Sequence, residues 1–86
     1  MAQYETPPII KTRERTHGVW KARADLSQSL KRLIFDRLEE NLTASQTEAI
    51  EMICVKISRI IYGDPAFKDH WADIAGYAKL GGNLDD

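Results

Sequence analysis

The stretch Ser45-Gln46-Thr47-Glu48-Ala49-Ile50-Glu51-Met52-Ile53-Cys54-Val55-Lys56-Ile57-Ser58-Arg59-Ile60-Ile61-Tyr62-Gly63 decides the fold class. It has no Gly or Pro before Gly63. Ile50, Ile53, Cys54, Ile57, Ile60 and Ile61 recur every three or four positions. At about 100° per residue they share one side of a helix. Ser45 followed by Glu48 reads as a capping box, with the hydroxyl accepting a free N–H and the glutamate reaching back. Gly63 reads as a left-handed stop. The expectation is a helix over residues 46–62. Met52 and Val55 lie off the main stripe, so both sides of this helix need covering. In so short a chain the second side is expected to meet a partner copy.

The same period extends in both directions. Leu26, Leu30, Leu33, Ile34 and Leu38 step by three and four within residues 20–41, which also lack Gly and Pro. Asp64-Pro65 predicts the opening of a last helix, with a separate turn around residues 65–68. Trp71, Ile74, Ala75 and Ala78 are its expected core stripe, and Gly81-Gly82 its end. Residues 1–15 read as an extended basic arm because of Pro7-Pro8. Residues 16–82 then form one helical domain, and residues 83–86 a frayed tail. No pattern with a period of two appears. The predicted class is all-α: three to four helices in a small antiparallel bundle, expected to be oligomeric.

Eighty-six residues, 43% apolar and 29% charged, suit one globular domain. The single Cys54 cannot form an internal disulfide, and its apolar surroundings suggest a buried thiol. No apolar run nears the roughly 20 residues of a membrane span, and no signal-peptide core is visible. A cytoplasmic protein is expected. Net charge is −1 but unevenly spread. Residues 1–32 carry seven Lys/Arg against three Asp/Glu, and residues 33–86 carry five against ten. The basic end can meet phosphates, or the acidic half of another copy.

Several constellations are candidates for chemistry. Lys11, Arg13, Arg15, Lys21 and Arg23 crowd around His17 and Trp20, a mixture suited to phosphate contact with an aromatic stacking surface. Lys56 and Arg59 lie one turn apart, with Asp73 as an ion-pair partner for either. Glu48 with Glu51, and Asp69 with Asp73, are carboxylate pairs that facing helices can bring around Mg²⁺. Glu48 is equally explained by the capping box. His70 reads as a packing residue. No nucleophile–base spacing, zinc spacing or phosphate-cradling glycine loop is present.

Three landmarks appear in order: His17-Gly18-Val19-Trp20, then Lys56-Ile57-Ser58-Arg59-Ile60, then Asp69-His70-Trp71-Ala72-Asp73-Ile74-Ala75-Gly76-Tyr77-Ala78. This order resembles small phage and prophage proteins with a central Lys-x-x-Arg helix and a closing Asp-x-x-Gly-Tyr-Ala helix. It is also similar to the nucleotide-modification-associated domain. The resemblance implies ligand-site roles for His17, Gly18, Lys56, Arg59, Asp73 and Tyr77, and Tyr77 or Trp20 is expected to stack on the ligand. It implies a phage-derived accessory protein that binds a nucleotide or a phosphate-bearing partner, in a host cytoplasm and without a cofactor. A more distant resemblance is to MazG-type nucleoside triphosphate pyrophosphatases, whose Mg²⁺ is held by Glu-x-x-Glu and Glu-x-x-Asp pairs. Glu48 and Glu51 match the first spacing; Asp69 and Asp73, four apart, depart from the second. A third expectation is inhibition of a host protein through a helical surface. The expected partners are a second copy, a nucleotide, a nucleic acid or a host protein, and no membrane.

Overall fold

The computed structural model describes residues 8–85, all of whose regular structure is helical. Four helices follow one another: α1 (Pro8–His17), α2 (Trp20–Phe35), α3 (Ala44–Tyr62) and α4 (Lys68–Gly82). The protein is all-α, a small antiparallel bundle. α3 is its centre and packs against α4, α2 and α1. α2 and α4 lie on nearly opposite sides of α3. The start of α2 sits beside the end of α3, where Arg23 and Ser27 meet Ser58 and Arg59. The end of α4 returns to the start of α3, where a Cβ on Gly81 would meet the Ala49 Cβ at 2.6 Å. The buried apolar residues among those described, Ala49, Cys54 and Ile60, all belong to α3. The molecule measures 46 × 31 × 18 Å, with a radius of gyration of 15.0 Å. A chain of this length folded as a compact sphere has about 12 Å. The bundle is therefore flat and open.

Several local expectations need correction. The basic arm is helical from Pro8 onward, not extended. Proline is tolerated at a first helical position, where its missing N–H has no partner to lose. Residues 1–7, including the rest of that arm, lie outside the described residues, as does Asp86. α2 stops at Phe35 rather than continuing to Asn41. Its exit tightens into i→i+3 bonds, Arg37 N–H to the Ile34 carbonyl at 3.2 Å and Leu38 N–H to the Phe35 carbonyl at 3.3 Å. The capping box of α3 is Thr43 with Gln46, not Ser45 with Glu48. The Gln46 N–H donates to Thr43 Oγ1 at 3.0 Å, and the Thr43 N–H donates to Gln46 Oε1 at 2.9 Å.

Gly63 does end α3, but at φ −109° it is not left-handed. Its glycine identity has another cause. A Cβ there would stand 2.2 Å from the Thr16 carbonyl oxygen. Gly18, between α1 and α2, is the glycine with positive φ (+87°), and a side chain there would also strike Tyr62. The expected turn before α4 is present: Asp64 Oδ1 accepts the Ala66 N–H at 2.9 Å, and the Phe67 N–H reaches the Asp64 carbonyl at 3.1 Å. α4 then starts at Lys68, with Phe67 and not Asp64 at the cap position. It runs through Gly81 and Gly82 and ends on left-handed Asn83, φ 53°.

The packed stripe of α4 is His70, Ile74, Tyr77 and Gly81; of the expected Trp71, Ile74, Ala75 and Ala78, Ile74 belongs to it and the other three are exposed. Trp71 is 55% exposed, with its indole N–H on the Pro65 carbonyl at 2.8 Å. Val55 faces the cleft toward α2. It is therefore not the free second side that the apolar pattern suggested.

Candidate functional site

The junction of α1, α2 and the end of α3 is held by one carbonyl. Thr16 O accepts the Asp64 N–H at 3.1 Å and His70 Nε2–H at 2.7 Å. A carbonyl only accepts, so His70 carries its proton on Nε2. His70 is 1% exposed, and its ring meets those of His17 (centroids 4.7 Å, edge-on) and Phe67 (4.8 Å). These rings lock the end of α1 to the start of α4. His70 is thus a packing residue, as expected. His17 is a packing residue too, with Nδ1 against the Thr16 hydroxyl.

This junction gathers arginines. Arg13 of α1, Arg23 of α2 and Arg59 of α3 line a cleft of about 340 Å³ together with Glu14, Gly18 and Trp20. A second hollow of about 270 Å³ continues along α2 past Ser27, Gln28, Lys31 and Ser58. Arg23 and Arg59 reach both, and so does Trp20. The Arg23 guanidinium lies over the Trp20 ring at 4.8 Å, and the indole is 67% exposed. Among the described residues none of these arginines makes a salt bridge. The Nε atoms of Arg23 and Arg59 and the Ser27 hydroxyl are buried without a hydrogen-bond partner there.

The charges respond to this crowding. Burial lowers the Arg59 pKa, Arg13 adds to the lowering, and Asp73 and Tyr77 oppose it. Burial also lowers the Arg23 pKa, followed by repulsion from Arg59 and Arg13. His17 falls from 6.5 to about 4, first through burial and then through Arg59, His70, Arg13 and Arg23. It is neutral at pH 7. It packs the junction against Phe67 and His70 and brings no positive charge to it.

The other expected site residues divide between this cleft and elsewhere. Lys56 is buried and paired with Asp73 at 2.9 Å. That pair lowers the Asp73 carboxyl pKa, mainly through the hydrogen bond from Lys56. Lys56 therefore fixes α3 against α4 and is not free for a ligand. Tyr77 lines a separate apolar groove with Leu42, Ala49, Ile50, Ile53 and Ala78. It does not face Trp20 across one ligand. Arg15 is exposed, and Lys21 lies in an outer hollow with Asp25, Arg32 and Tyr62. The side chain of Lys11 lies outside the described residues.

Glu48, Glu51, Asp69 and Asp73 do not converge. Among the described residues no three His, Cys, Asp or Glu side chains come together as metal ligands would. The reason is the packing order: helical register turns Glu51 toward α2, whereas Asp73 meets Lys56 on the α4 side of α3. Cys54 is buried, and burial raises its thiol pKa, in keeping with an inert packing residue.

The sequence pattern did not single out Ser27, Lys31 or Ser58, which extend the cleft. No motif marks them; only the antiparallel packing of α2 on α3 brings them to the arginines. No helix among the described residues is long and apolar enough to cross a membrane.

A family model described as a domain of unknown function, DUF6378, matches residues 5–85. Among curated proteins and among solved structures none matches.

Proposed function

We propose that the chain, which belongs to the DUF6378 family, binds a phosphate-bearing ligand in the cleft of Arg13, Arg23, Arg59 and Trp20, and that a nucleotide fits it best. The observation that carries this reading is the pair of partnerless guanidinium Nε atoms, at Arg23 and Arg59, in a cluster of three arginines none of which makes a salt bridge among the described residues. Buried like charges without partners destabilise a fold. A phosphate group supplies both the missing charge and acceptors in the planar geometry that guanidinium prefers. The exposed Trp20 face offers stacking to a base, sequence-tolerant and worth about 1–3 kcal/mol. Glu14, in the same cleft, suits a hydroxyl or amino group on the ligand. His17, Lys56 and Tyr77 act indirectly in this reading: they hold α1 and α4 in place around α3.

A panel of thermal melts tests it: a nucleoside, its mono-, di- and triphosphates and inorganic pyrophosphate, each with and without Mg²⁺. The phosphorylated ligands should raise the melting temperature and quench Trp20 emission, and the effect should shrink as salt rises. At 100 times the dissociation constant the stabilisation is about 2.7 kcal/mol. Equal response to nucleoside and nucleotide, or none to any, counts against the proposal. The same panel scored for released pyrophosphate addresses the hydrolase expectation, and capture of a host protein addresses the inhibitor expectation.

A further inference from the structure

We infer that a second copy of this chain covers the flat apolar face of the bundle, joining two open layers into one closed core. On α3, Ile50, Ile57 and Ile61 point between the directions of α2 and α4, about 160–180° away from Arg59. Because α2 and α4 both run antiparallel to α3, the register turns Leu26, Leu30 and Leu33 of α2 to that same side. It turns Trp71, Ala75 and Ala78 of α4 there too. None of these stripes contains a charged residue. Ile61 is 63% exposed, Trp71 55% and Leu33 52%. These are residues whose spacing announces a core, yet in one chain Leu33, Ile61 and Trp71 stay open to water and Leu26, Leu30, Ile50 and Ile57 are only half-buried.

The areas favour a second copy. A folded monomer of 9.8 kDa exposes about 5,200 Å², whereas this chain exposes 6714 Å². The excess, on the order of 1,500 Å², is spread over the whole molecule, and about half of it would match the roughly 800 Å² per partner of a standard interface. The two longer extents of the molecule, 46 and 31 Å, leave room for that contact. Helical domains are built from layers packed on layers, and this chain supplies one. A charge-free face offers no complement to an acidic or basic partner, but it matches itself across a two-fold axis. The arginine cleft lies on the other side of α3, so this inference stands independently of the proposed ligand.

The test is the mass in solution from micromolar to millimolar concentration, for the full chain and for Ile61→Glu and Leu33→Glu. Both substituted side chains are more than half exposed in the single chain, so each variant can fold as a protomer, which circular dichroism checks. Trp71 emission, followed in a Trp20→Phe background, reports on the face itself. A dimer whose Trp71 emission is blue-shifted, and which falls to a helical monomer with either glutamate, is the expected result. A monomer at all concentrations would overturn the inference. So would a dimer untouched by both glutamates, or a monomer that instead forms a stoichiometric complex with an unrelated protein through this face.

Discussion

Burial, and then the charges of Arg59, His70, Arg13 and Arg23, press the His17 pKa from 6.5 to about 4, with a consequence for stability. Between those pH values the unfolded chain binds a proton that the folded chain refuses. Stability is therefore intact above pH 6.5 and is lost as pH falls toward 4. A single proton sets a ceiling of about 1.4 kcal/mol per pH unit, and partial solvation of His17 keeps the effect below it. Urea midpoints measured from pH 7 to pH 4 should fall less steeply in His17→Gln than in the parent chain. Identical slopes would show that His17 is not the group responsible. At this scale the sequence named the right residue types and misjudged some neighbours. Arg13, Trp20, Arg23 and Arg59 were candidates by composition, and they do meet. His70 packs as its position suggested, but Trp71, ranked a core residue by its apolarity, is exposed. What decided the matter was a bond that composition cannot reveal, from the His70 ring to the Thr16 carbonyl 54 positions away.

The existence of α2, α3 and α4 was legible from periodicity, that of α1 was not, and helix ends were set by contacts. The α3 boundary was read as a box of Ser45 with Glu48; Thr43 with Gln46 has the same spacing two positions earlier, and spacing does not choose between them. In the fold, Ser45 Oγ turns to the Leu80 carbonyl at 3.5 Å, and Thr43 takes the cap. Thr43→Ala should accordingly cost about 1 kcal/mol, and Ser45→Ala clearly less; denaturant melts of the two variants decide which residue caps α3. Gly63 was read as a conformational stop, but what it allows is contact between α1 and α3. Gly63→Ala should destabilise by about 1–3 kcal/mol, the range for forced overpacking, because its new methyl would displace the Thr16 carbonyl. Hydrogen exchange should then show the end of α1 opening while α2 and α3 stay protected. Uniform loss of protection would contradict this picture of α1 as a separately docked element.

At the scale of the molecule, the sequence suggested a core under the main stripes and a partner copy on the Met52 and Val55 side; the fold puts Val55 beside the arginines and leaves Leu33, Ile61 and Trp71 exposed. Which stripe faced a neighbouring helix could not be read from periodicity, since that depends on α2 and α4 flanking α3 instead of closing over it. Nor could the meeting of Arg13, Arg23 and Arg59 be read, because it needs three helices to converge at one end. That convergence makes a claim that can be tested with and without a ligand. If the arginines are gathered for an anion, they are a burden when it is absent. The most direct measurement is therefore the unfolding free energy of Arg59→Leu and Arg23→Leu beside the parent chain, each with and without a nucleoside triphosphate. Without ligand, both variants should be more stable, on the order of 1 kcal/mol, as expected when a repelling buried charge becomes apolar; with ligand, the parent chain should gain stability and the variants should not. Variants that are less stable without ligand, yet respond to the triphosphate as fully as the parent does, would contradict the account.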